Sequence, residues 1–220
     1  MQALRVFHYL LQHDFSWMLM NHTPLDIEYT GSQNASPEVR RKIMRHIYRD
    51  ARDEIPDNVP EIRGKDLQLN VYVDANHAGN KVTRCSQTGI LILLHKSLVA
   101  FDNKRQNTVE SSPFGSEYIA LKLAMEKIIG LRYKLRMMGV EIDGPASIFC
   151  DNESVTKSAA NPEATLKKKN LSIAYHKCRD FFAAGVADIY FLDSVENLAD
   201  LLTKGLPVVK RKAIFDCINV

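Results

Sequence analysis

The sequence predicts an α/β domain built on a five-stranded mixed sheet flanked by helices, and three observations predict it. Leu67, Leu69, Val71 and Val73 alternate with Gln68, Asn70, Tyr72 and Asp74, the period-two signature of a strand with one buried face. Two further apolar runs, GILILLHK (89–96) and LVAFDNK (98–104), follow closely enough to form a meander. ASIFCD (146–151) and VADIYFLD (186–193) are then set apart by helical stretches. The order β-β-β-α-β-α-α-β-α gives antiparallel hairpins first and crossover-connected strands later.

The helices justify themselves in the same way. Ser112 before Pro113 opens a long helix running to about Met138, with Pro at a position where no backbone N–H is needed. ASIFCD is nearly continuous in apolar residues, as a central strand covered on both faces requires. NESVTKSAA is a short helix ending before Asn161-Pro162. A second runs from about Asn170 to Ala184 and stops at Gly185, and ENLADLLTKGLP is a closing helix ended by Gly205 and Pro207. Upstream, residues 2–13 space Leu4, Phe7, His8, Leu10 and Leu11 as on a helix, ahead of the run WMLM at 17–20. Ser36 and Pro37 start a basic helix, whose Arg40, Arg41, Lys42, Arg45, Arg49 and Arg52 read either as a solvated face or as a phosphate-tracking surface. The expected divisions are a fragment of a preceding unit at 1–30, a basic helix and proline-bounded linker at 31–65, the sheet domain at 66–207 and a tail at 208–220.

The bulk figures set limits. With 220 residues, 45% hydrophobic and 25% charged, the chain can bury one substantial core. A net charge of +3 permits a polyanionic partner without requiring one. Four separated cysteines with no CxxC pair suggest neither a zinc knuckle nor a disulfide framework, and point to reduced thiols inside a cell, in cytoplasm or nucleus. The apolar start carries Arg5, His8 and His13 and lacks a cleavage site, so it reads as an amphipathic helix rather than a signal peptide. No stretch has the length of a membrane span.

The acids carry the chemistry. On the long helix Glu117, Leu121, Ala124, Ile128, Leu131, Leu135 and Met138 step by four and three, which puts a carboxylate on the stripe that must face the sheet. If ASIFCD pairs parallel beside LNVYVD, Asp74 and Asp151 sit roughly 5 Å apart across the ladder. Like charges that close raise one another's pKa or demand a cation, and hard oxygen ligands favour magnesium or manganese over zinc. Taken singly, each acid has a plainer reading. Asp151 can be a helix N-cap, Asp74 the start of a turn, Glu117 a first-turn acid favoured by the macrodipole, and Asp200 a solvated helix residue.

Four stretches, VYVDANHAGNKVTRCSQTGILI, QNTVESSPFGSEYIAL, IFCDNESV and NLADLLTKGLP, in this order and spacing, resemble the ribonuclease H domain of copia-type retrotransposon polyproteins. The resemblance covers roughly residues 66–207. MQALRVFHYLLQHD resembles the helix that ends the reverse transcriptase segment of those polyproteins, although no YxDD motif is present. The resemblance implies a ribonuclease H-like fold that cleaves the RNA strand of an RNA–DNA hybrid with two Mg²⁺ ions, for which Mn²⁺ can substitute, alongside a reverse transcriptase segment and away from any membrane. It assigns Asp74, Glu117, Asp151 and Asp200 as catalytic metal ligands.

The chain departs from the pattern in places. Gly115 stands where many relatives have an upstream acid, and His77 where many have Trp. No histidine lies between VADIYFLD and Asp200. Candidate contacts to nucleic acid are Lys167, Lys168 and Lys169, which read equally as a solvated loop; His176, which also reads as a structural histidine; and Asn152, Gln106 and Asn107 as readers of a minor groove lined by 2′-hydroxyls. Two other readings stay open: a catalytically idle ribonuclease H-like module from a decayed or host-adopted element, and an integrase-like transposase on the same fold.

Overall fold

The computed structural model describes residues 36–62, 66–142 and 144–218, so the expected helix at 2–13 and the run at 17–20 lie outside the described residues. In chain order the elements are α1 (Pro37–Ile47), β1 (Leu69–Asn76), β2 (Gln87–Leu94), β3 (Ser97–Arg105), α2 (Pro113–Met137), β4 (Ala146–Cys150), α3 (Glu153–Ala160), a 3₁₀ turn (Lys169–Leu171), α4 (Ser172–Ala184), β5 (Ala187–Phe191), α5 (Asp200–Thr203) and α6 (Val208–Ile218). The sheet order is β3-β2-β1-β4-β5. β1 pairs antiparallel with β2 and parallel with β4, β2 pairs antiparallel with β3, and β4 pairs parallel with β5. This is the five-stranded mixed sheet with flanking helices that the sequence predicts.

β1 lies at the centre, and one expectation fails there. Its alternation predicts a single buried face, yet Tyr72, Asn70 and Asp74 are as buried as Val71 and Val73. The reason is a second apolar cluster on the far face. There Tyr72, Leu91, Leu93 and Phe149 pack with Leu192, Ala199, Ile214 and Ile218, and the Tyr72 and Phe149 rings lie 5.0 Å apart. The larger core, on the other face, sets β1, β2, β4 and β5 against Leu121, Ala124, Met125 and Ile128 of α2 and Cys178 and Phe182 of α4.

The long helix begins as its sequence dictates: the Ser112 hydroxyl accepts from the Gly115 N–H at 3.3 Å, with Pro113 in the first turn. Its predicted stripe is buried from Glu117 to Leu135 except for a half-buried Leu131, and Met138 is exposed just past the helix end. Its last turns are tied to the incoming chain. Asp53 pairs with Arg132 at 2.8 Å and Arg136 at 2.5 Å, and the two arginines hold the Asp53 carboxyl below the usual range against the burial that would raise it.

Two further elements differ from expectation. The basic helix is not a uniformly solvated face, because Arg40 is buried over the Phe182 ring, Arg41 pairs with Asp188 at 2.6 Å and Arg45 donates to the Ala183 carbonyl at 2.8 Å. Two attractors explain it: an acid on β5 and the carbonyl-rich end of α4, where cations are favoured. Lys42, Arg49 and Arg52 do remain exposed. The expected closing helix is only the single turn of α5, whereas residues read as a tail form α6, whose Ile214 and Ile218 are buried in the second cluster. Among the described residues no helix is long and apolar enough to cross a membrane.

Candidate metal centre

The parallel register between β1 and β4 runs to Val73 opposite Cys150, so the next residues, Asp74 and Asp151, emerge side by side at the carboxyl ends of the two strands. Carboxylate oxygens of Asp74, Asp151 and Asp200 lie within 4.8 Å of one another, which agrees with the spacing the strand ladder implies. Glu117 and Asp151 meet under the same limit in a second group that includes the Cys150 thiol. Asp151 is common to both groups. Acids separated by up to 126 positions thus come together at one end of the sheet.

Each is held differently. Glu117 arrives on the first turns of a long, well-packed helix. That turn is fixed to the sheet by Gln106, whose side-chain amide donates to the Thr88 hydroxyl at 2.9 Å and to the Ser116 carbonyl at 2.8 Å. Asp200 sits on a single turn that could not persist alone. Ala199, Leu201 and Leu202 pack it into the second apolar cluster, and polar contacts fix its position: Asn197 donates to the Val73 carbonyl at 3.0 Å and accepts from the Ala199 N–H at 3.1 Å, Asn76 donates to the Thr203 carbonyl at 2.9 Å, and the Thr203 hydroxyl donates to Asp74. Gly89 faces Asp74 across the β1–β2 ladder. A Cβ there would stand 2.7 Å from Thr203 Cγ2 and 2.9 Å from Leu202 Cβ, so only glycine lets α5 lie this close to the sheet.

The charges are unevenly balanced. Lys204 Nζ lies 2.5 Å from Asp200, 3.4 Å from Asp74 and 3.7 Å from Asp151, and Lys210 of α6 reaches the other Asp200 oxygen at 2.9 Å. Partial burial would lower the Lys204 pKa, but its bond to Asp200 and the neighbouring carboxylates hold it above the usual range. Glu117 is worse provided for. Burial first, and then the charges of Asp74 and Asp151, push its carboxyl up to about 9, and its Oε2 is buried with no hydrogen-bond partner. Burial, followed by the charge of Asp74, also raises Asp151.

These residues fit a hard divalent cation. The donors are carboxylate oxygens, one of them is buried and unpartnered, and an ammonium already lies among three of the acids. Complete burial drives the Cys150 thiol well above the usual range, which favours the neutral thiol over a soft thiolate ligand.

The other sequence candidates scatter. Gln106 is buried and spends its amide on the internal bonds above, which removes it from any groove. Asn152 caps α3, accepting from the Val155 N–H at 3.2 Å. Asn107, Lys167 and Lys169 are exposed, while Lys168 donates to the Ser112 hydroxyl. His176 is exposed and shares a hydrogen bond with the Tyr48 hydroxyl at 2.8 Å, and His77 lies 3.3 Å from the Ser116 hydroxyl. Gly89, Asn197, Thr203, Lys204 and Lys210 escape sequence reasoning altogether. Asn197, Thr203 and Lys204 do lie inside the NLADLLTKGLP stretch, so the signal was the whole segment rather than its one aspartate.

Over 144 residues, 66% of its length, the chain is 29% identical to the retrovirus-related Pol polyprotein from transposon RE1 of Arabidopsis thaliana. The chain spans about a tenth of that relative's length. This similarity agrees with the retrotransposon resemblance of the four motifs. Searches against family models gave no match. Among solved structures, the N-terminal RNase H domain of a Mycobacterium tuberculosis protein aligns with 69% of this chain and 96% of its own, at 14% identity and a TM-score of 0.49. RNase H1 from Halobacterium salinarum aligns with 68% of this chain and 98% of its own, at 16% identity and the same score.

Proposed function

We propose that this chain is a metal-dependent endoribonuclease of the ribonuclease H type, which hydrolyses the RNA strand of RNA–DNA hybrids beside the reverse transcriptase of a copia-type retrotransposon, in cytoplasm or nucleus. The observation that carries this reading is the convergence of Asp74, Glu117, Asp151 and Asp200 at one end of the sheet, with a buried Glu117 oxygen left unpartnered.

In this reading Asp74, Glu117, Asp151 and Asp200 would hold two Mg²⁺ ions, with Mn²⁺ able to substitute, and Asp151 links the two acid groups. The bound ions supply charge neutralisation at the scissile phosphate and a water acidic enough to act as nucleophile near neutral pH. Burial and the neighbouring acids favour the protonated form of Glu117 in the metal-free protein, so serving as a ligand would require it to release that proton. Thr203 and Asn197 fix the oxygens of Asp74 and the turn bearing Asp200, so the acids need little rearrangement. Exposed Lys167, Lys169 and Asn107 remain candidate contacts to substrate phosphates and sugars, whereas Asn152, Lys168 and His176 already have internal partners.

A labelled RNA–DNA hybrid incubated with Mg²⁺, with Mn²⁺ and with EDTA tests the proposal. Cutting of the RNA strand in the first two alone is the expected result. Tight hybrid binding without cleavage under all three conditions would leave an idle module instead, and strand transfer from a DNA end would favour the transposase reading.

A further inference from the structure

We propose that Lys204 is a tethered counterion, an ammonium that occupies the acid cluster in the metal-free protein and must be displaced by the incoming divalent cation. The inference rests on the metal-dependent reading above and concerns how that centre is kept assembled and how tightly it binds. Three carboxylates meet the Lys204 Nζ, at 2.5 Å from Asp200 Oδ1, 3.4 Å from Asp74 Oδ1 and 3.7 Å from Asp151 Oδ2. The oxygens a hard cation would use are therefore already facing a positive charge. Lys210 differs, since it meets only the outer oxygen of Asp200, at 2.9 Å, and also donates to the Ser194 carbonyl at 3.3 Å.

Backbone geometry supplies the tether. Lys204 follows α5 directly, and its N–H closes the turn on the Asp200 carbonyl at 2.9 Å, so the side chain folds back over its own acid. Its side chain is 40% exposed whereas those of Asp74 and Asp200 are nearly fully buried. An ammonium on a flexible four-carbon stem can leave for water without moving the backbone, but the acids cannot leave each other. Metal entry thus exchanges one positive charge for two. Without Lys204 the metal-free acids would repel one another, and the arriving cation would meet no competitor.

Calorimetric titration of Mg²⁺ and Mn²⁺ into the wild-type protein, Lys204→Met and Lys210→Met, with melting curves in EDTA, tests this. Lys204→Met is expected to bind the cation about tenfold more tightly, the half-exposed charge being partly screened, and to melt lower in EDTA, with the loss reversed by Mn²⁺. Lys210→Met is expected to change affinity less. A Lys204→Met protein that binds the cation no better than the wild type overturns the proposal and leaves the metal centre standing; failure of the folded wild type to take up either ion overturns both. The wild type gives a reading that needs no variant to fold: acylation of Lys204 by an amine-reactive ester, mapped by mass spectrometry, should rise several-fold on saturation with Mn²⁺. An unchanged rate with the ion bound would also defeat the proposal.

Discussion

The two faces of the sheet reach the same acids by different physics. On one face a broad apolar core packs α2 and α4 against the strands, and Glu117 is delivered by a 25-residue helix buried along most of its stripe. On the other face the apolar cluster is small, and Asp200 is delivered by a four-residue turn whose position depends on Asn197, Asn76, Thr203 and Lys204. Hydrophobic packing is little affected by charge screening or by the state of the site, whereas a turn that adds charges and single hydrogen bonds to the small apolar contacts of Ala199, Leu201 and Leu202 responds more to both. One side of the centre therefore rests on a broad apolar core, and the other on a small one reinforced by polar contacts.

The sharpest way to break this comparison is to remove the acid both sides share. Asp74→Asn should lower hybrid cleavage roughly a thousandfold, several kcal/mol at about tenfold per 1.4 kcal/mol, while its melting point in EDTA stays level or rises because a repelling charge is gone. Gly89→Val should come next. The new side chain displaces Thr203 and Leu202, so activity should fall about a hundredfold from misplacement of Asp200, with the α2 face still giving a cooperative unfolding transition. Leu121→Ala makes the opposite cut: it should cost about 2–5 kcal/mol of stability in denaturant titration and leave cation affinity within a few-fold.

The smallest effect is a pH dependence. Glu117 has a folded pKa raised to about 9 from an unfolded value near 4.5, so its contribution to stability is full below the lower value and is lost as pH rises through the higher one. Metal-free protein should accordingly melt at progressively lower temperature across that window, and Mg²⁺ should flatten the slope. A slope unchanged in Glu117→Gln would assign it to another group.

The difference between the faces also explains what the sequence could disclose. Asp74 and Asp151 were legible because a strand's period and a crossover order place both at the same sheet end, and Glu117 because it interrupts an apolar stripe. Asp200 was not legible from pattern. Its turn is too short to show periodicity, and the residues that seat it, such as Gly89 and Asn76, lie more than a hundred positions away. Only the resemblance of the whole NLADLLTKGLP stretch pointed there. The buried face of Tyr72 and the packing of α6 failed for a related reason, since alternation along one strand says nothing of what a distant helix will cover. Gln106 read as an exposed amide because its partners, Thr88 and Ser116, become neighbours only after the hairpin and α2 have closed on each other.

The clamp of Asp53 on Arg132 and Arg136 gives the length of α2 a meaning beyond packing. One rod is gripped near its far end by the chain that enters the domain and bears Glu117 near the other. At about 100° of rotation per residue, inserting a single amino acid between Glu117 and Arg132 would swing either the carboxylate away from the other acids or the guanidiniums away from Asp53. The spacing from 117 to 132 and 136 is thus a gauge set in both rotation and rise, since a whole added turn would restore the facing but lengthen the rod by about 5.4 Å.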